Sequence, residues 1–181
     1  MPTVISHSIF AALAGRFFRP KYITKCVWVW GALSAALPDA DVLGFRYGIS
    51  YSSAFGHRGF THSIFFALVW SGLSLFILRV LSACRYPLCV WGFVFLCTIS
   101  HGLFDAMTNG GKGVAFFFPL DNTRYFLPWR PIVVSYFGVE SLFTSRGLAV
   151  LVSEIKILLL PAFILSTAWS YRRGKKLHLT P

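Results

Sequence analysis

Within the stretch GHRGFTHS (56–63), His57, Arg58 and His62 stand close together in a chain of which only 13% is charged. Three other places carry related residues. LPDAD (37–41) supplies Asp39 and Asp41, SHGLFDAM (100–107) supplies His101 and Asp105, and His7 lies near the start of the chain. His101 and Asp105 are four apart, which puts both on one face of a helix. Such a pair either chelates one ion, by the spacing logic of HExxH, or forms an imidazole–carboxylate hydrogen bond behind one. Imidazoles mixed with carboxylates suit Zn²⁺, and the set also admits Mn²⁺ or iron.

These residues need elements to carry them, and the composition says what kind. The chain has 181 residues, 56% of them hydrophobic and 19 of them Phe, with only six acids. A soluble domain is about half apolar even when glycine is counted. The sequence therefore predicts an all-α integral membrane protein, a single membrane-embedded domain over 1–181. Five apolar segments are expected, at 4–18, 26–37, 62–80, 87–107 and 148–171. The third and fourth are long enough to span a bilayer, which takes about 20 residues. The first two are short and would tilt, lie at the interface or pack inside the bundle. Pro38 is expected to stop the second. A long connector (108–147) and a basic tail (172–181) complete the chain. The four cysteines lie in or beside apolar runs without a CxxC pair, and read as small buried hydrophobes.

The net charge of +11 could suggest nucleic acid. Basic residues flanking apolar segments are instead the ordinary topology signal of membrane proteins, so no direct nucleic-acid binding is expected. Placing the turns after segments one, three and five in the cytoplasm gathers the densest Lys/Arg stretches there, including RRGKK (172–176) as an anchor on anionic lipid. In an up-and-down bundle, His7, Asp39, Asp41, His57, Arg58, His62, His101 and Asp105 then converge on the opposite face.

Asp39, Asp41 and Asp105 sit near helix C-termini, whose dipole disfavours carboxylates; loop acids after a helix-ending proline would explain the first two as well. Three gathered carboxylates call for a cation that Arg58 alone does not supply. Thr61 is expected to cap segment three and so fix His62. The expected metal ligands are His7, Asp41, His57, His62, His101 and Asp105, enough for one or two ions sharing Asp41 or Asp105. Arg58, left free, would clamp an anionic oxygen, and Asp39 would handle protons. Gly56 and Gly59 allow the tight backbone. Glu140 is a further candidate ligand.

His7, LPDAD, GHRGFTHS and SHGLFDAMTNGG (100–111), followed by FFFPLDNTRYFLPW (116–129), resemble the YdjM-like family, bacterial LexA-binding, inner-membrane-associated metal-dependent hydrolases. The resemblance covers roughly residues 1–140. The order of histidine, PD and HxxxD is also similar, more distantly, to zinc-dependent phospholipase C and single-strand nucleases. The resemblance implies a helical protein of the bacterial inner membrane with a hydrolase site built on those same residues.

The expectation is a multi-pass membrane hydrolase that cleaves an ester or phosphoester bond of a lipid, its site on the non-cytoplasmic face. Membrane lipids are expected partners, and a regulatory protein is a further candidate. The alternatives are a metal or proton transporter and a non-catalytic membrane adaptor.

Overall fold

The computed structural model describes residues 1–19, 21–81, 84–135 and 143–178, the last three by backbone alone. Six helices run in chain order: α1 (Val4–Ala14), α2 (Lys25–Ala36), α3 (Ile64–Val80), α4 (Pro87–Ala106), α5 (Ser145–Glu154) and α6 (Leu160–His178). Among the described residues there is no strand, only two isolated bridges, Thr108–Ile132 and Val114–Tyr125. The all-α expectation holds.

Hydroxyls start most of these helices. Thr3, Thr24, Ser63 and Thr144 each accept a hydrogen bond from a backbone N–H three residues on, satisfying a donor the helix itself leaves free. Pro87 opens α4, where a missing N–H costs nothing. α4 is the central post: α1, α2 and α3 all pack on it. Val27, Ala35, Leu78, Val90, Phe93 and Cys97 form much of the core. Gly31 lets α2 approach closely, since a Cβ there would lie 2.3 Å from the Phe93 ring.

The outer surface is apolar. Val29 and Leu33 of α2, Phe76 and Val80 of α3 and Leu165 of α6 are each more than 60% exposed. A water-facing protein rarely shows such continuous bands, whereas lipid accepts them. Three helical runs are long and apolar enough to cross a membrane: Lys25–Tyr47, Pro87–Ala106 and Ser145–Lys175. Val4–Phe17 and Ile64–Val80 are shorter apolar helices.

Two segment lengths differ from expectation. Pro38 does not end the second segment; it enters the first turn of a 3₁₀ helix, Leu37–Tyr47, that prolongs α2 to 23 residues. Proline tolerates that position because its absent N–H has no partner to lose. The third segment starts later, because residues 60–62 form a separate 3₁₀ turn and Ser63, not Thr61, caps α3. The cysteines are all free, but only Cys97 is buried, while Cys26 is exposed on the lipid-type surface.

The connector folds back over one end of the bundle. Ala115 donates to the Arg58 carbonyl, Ile64 to Phe116 and Leu127 to Ala106. Glu140 lies outside the described residues, as do residues 179–181 of the tail.

Candidate metal centre

α2 and its 3₁₀ extension deliver Asp39 and Asp41, the 60–62 turn delivers His62, and one face of α4 delivers His101 and Asp105. The close turns before His62 depend on Gly56 and Gly59: a Cβ would meet the Ser50 carbonyl at 2.1 Å or the Ala54 carbonyl at 2.2 Å. Donor atoms of Asp39, His62, His101 and Asp105 all lie within 4.8 Å of one another, and all four residues are buried. His101 Nε2 is 3.2 Å from Asp39 Oδ1 and 3.9 Å from Asp105 Oδ2; His62 Nε2 is 3.7 Å and 3.3 Å from the same two oxygens. A tetrahedral ion with bonds of about 2.0–2.1 Å would set ligand separations of about 3.3 Å. The spacing fits.

Hydrogen bonding points to the same place. His62 Nε2, His101 Nε2 and both oxygens of Asp39 and Asp105 are buried without a hydrogen-bond partner, as are both ring nitrogens of the adjoining His7. Buried polar atoms left so are costly, and a cluster of them calls for a ligand. The rings are oriented for it. His101 Nδ1 lies 2.6 Å from the Ala35 carbonyl, so it donates there and turns Nε2 inward. His62 Nδ1 faces Thr61 Oγ1 at 3.0 Å and Asp41 Oδ2 at 3.2 Å, with the same result for its Nε2.

A second group, Asp41, His57 and His62, shares His62 with the first rather than a carboxylate. Its needs are already met. Asp41 accepts from His57 Nδ1 (2.8 Å), Thr61 Oγ1 (2.7 Å) and the Arg58 backbone N–H (3.2 Å). Asp41 therefore orients two histidines from behind. His7 is buried and stacks on His101, with ring centroids 3.7 Å apart, but it lies outside both groups.

Arg58 is not left free. It is fully buried, with Nε 3.1 Å from Asp105 Oδ2 while Nη1 and Nη2 donate to the Gly110 carbonyl and Thr108 Oγ1. Its φ of 63° is the one positive value at a non-glycine residue among those described. Such a backbone costs about 1–2 kcal/mol and persists where the surroundings demand it. The expected anion clamp is thus an internal counter-charge, because a guanidinium sealed in a dry interior must pair with the nearest carboxylate.

Charges around the ring pull titrations apart. Burial opposes protonation of His62, yet the nearby carboxylates of Asp105, Asp39 and Asp41 outweigh it and hold the imidazole well above its ordinary pKa of 6.5. His57 moves the other way, because burial outweighs its hydrogen bond to Asp41. The carboxylates thus hold a proton on His62 where a metal would otherwise serve.

Several supporting residues escaped the sequence reading. Arg124 of the connector turns inward and donates to the carbonyls of His57, Tyr51 and Ser53. Thr61 supports Asp41 instead of capping a helix. Glu154 is fully buried, taking hydrogen bonds from the Thr3 N–H, Thr3 Oγ1 and Ser6 Oγ at the start of α1. A charged residue within an apolar segment was the only signal for it.

Comparison with known proteins decides the family. The model of the YdjM inner membrane protein family matches residues 1–177. The chain belongs to that family. It is also 39% identical to the inner membrane protein YbcI of Escherichia coli (strain K12) over 173 residues, 96% of this chain and 99% of the relative. No solved structure matches at a significant level. A YdjM-family membrane protein thus carries a buried His/Asp group able to hold a metal ion.

Proposed function

We propose that the chain is a metal-dependent hydrolase of the inner membrane, acting on an ester or phosphoester bond of a lipid or another membrane-associated substrate. One observation carries the reading: Asp39, His62, His101 and Asp105 each bring a buried donor atom to within 4.8 Å of the others, with no hydrogen bond to occupy it. A divalent ion held there, Zn²⁺ by its donor set, supplies Lewis acidity and makes a nucleophile of water near neutral pH.

The residues divide the remaining work. His62, His101 and Asp39 hold the ion. Asp105 pairs through Oδ2 with Arg58 Nε, while Oδ1, without a hydrogen bond, would be placed to take a proton from water. Asp41 and the Ala35 carbonyl fix the two imidazoles. Several passes through the bilayer, with the site on the non-cytoplasmic face, follow from the dense basic turns at the other end.

The test is to purify the full chain in detergent, measure bound metal, and assay phospholipid hydrolysis with and without chelator. Stoichiometric metal with activity that chelation and His62→Ala both abolish supports the reading. Absence of bound metal, or activity indifferent to His62→Ala, ends it. Metal flux into proteoliposomes without hydrolysis would replace it with transport.

A further inference from the structure

At the far end of α1 the chemistry reverses. Val4–Phe17 is one helical run, so Phe17 lies about 15 Å along its axis from His7. Beside it opens a cleft of about 600 Å³, lined by Phe17, Phe18, Tyr22 and Trp169 and edged by Arg19, Arg172 and Arg173. A second cleft, of about 360 Å³, adjoins it across Phe18 and Arg173 and adds Arg16 and Lys25. The partition is structural: Arg173 Nη1 donates to the Phe18 carbonyl at 2.9 Å, tying the end of α6 to the end of α1.

Among the described residues no carboxylate lines either cleft. The described acids are engaged elsewhere: Asp39, Asp41 and Asp105 at the metal centre, Glu154 at the head of α1, and Asp121 with Thr123 and Tyr125. None of the described acids supplies these guanidiniums with a counter-charge at the cleft. Arg19 and Arg172 are exposed at the rim, whereas Phe17 and Trp169 form an aromatic wall with ring centroids 5.9 Å apart. An apolar slot of ligand-binding size with cations at its mouth matches an amphiphile whose head is anionic.

We propose that this cleft binds one anionic phospholipid, its phosphate on Arg19 and Arg172 and its acyl chains against Phe17, Tyr22 and Trp169. It is a defined site rather than a diffuse attraction of basic turns to a charged membrane. It is also independent of the chemistry proposed at the metal centre.

Native mass spectrometry of the full chain in detergent tests this, using phosphatidylglycerol and phosphatidylcholine with matched acyl chains. The expected result is one retained phosphatidylglycerol, bound roughly tenfold or more tighter than phosphatidylcholine. Arg19→Gln with Arg172→Gln should remove that preference, the double Lys variant should keep most of it, and Arg79→Gln, a charge removed at the end of α3, should leave it intact. Equal binding of the two lipids overturns the proposal. So does an equal loss in Arg79→Gln, which would mean diffuse attraction, or inorganic phosphate competing as strongly as the lipid, which would leave the aromatic wall without a role.

Discussion

The two ends of α1 handle charge in opposite ways. At the His7 end, three carboxylates face one guanidinium, all with side chains almost wholly buried. The surplus is negative and buried, so only a desolvated cation or a proton fits it. At the Phe17 end the surplus is positive, partly exposed and beside an open aromatic cleft. A large anion can reach it without shedding all of its water. Sign of charge alone does not distinguish a metal site from a lipid site; depth of burial and the supply of orphaned donor atoms do.

The sharpest way to break the comparison is to remove a donor. His101→Ala deletes an Nε2 at the centre and should lower metal affinity by about 100-fold or more, read as metal content after gel filtration. The Arg19→Gln, Arg172→Gln pair should leave metal content unchanged, because it lies at the other end. Comparable in size, but read in stability, is Arg58→Ala, which strands Asp105 in a buried site and should cost about 3–5 kcal/mol by thermal unfolding. A loss below about 1 kcal/mol would show that water or an ion already shields Asp105.

A pH titration sharpens the picture further. Because the folded pKa of His62 is raised, its proton stabilises the metal-free protein fully below pH 6.5, and that contribution fades as pH rises through the folded value. Metal binding displaces the same proton, so apparent affinity should rise with pH over that interval. Metal-free protein should therefore lose stability on going alkaline while metal-loaded protein does not, in parallel melting series. The smallest expected effect is that of Thr61→Val, which removes one hydrogen bond from Asp41 and should weaken metal binding by about tenfold.

Much of the fold was legible because lipid imposes simple rules. Apolar runs and the basic residues beside them located the helical runs, and the alternation of segments already gathered the histidines and acids at one end. Element ends were harder to read. Pro38 looks like a stop until the chain around it is seen to continue as a 3₁₀ helix, and Thr61 and Ser63 are both chemically fit to cap α3. Within the site, residue types revealed who is present but not who faces whom. Asp39 and Asp41 are two residues apart in one motif, yet one has orphaned oxygens and the other is saturated. The direction of Arg58 depends on a positive φ that only the packing around it sets, and the inward turn of Arg124 depends on a connector whose path hydropathy does not encode.

The Glu154 clamp has a consequence for how the chain is made. The carboxylate partner of Thr3 and Ser6 comes roughly 150 residues after them in the chain. At about 5–20 residues per second, those hydroxyls go unmatched for some seconds of synthesis. A chain interrupted before residue 154 would still pack α1 on α2, but the head of that first helix would lack its carboxylate clamp.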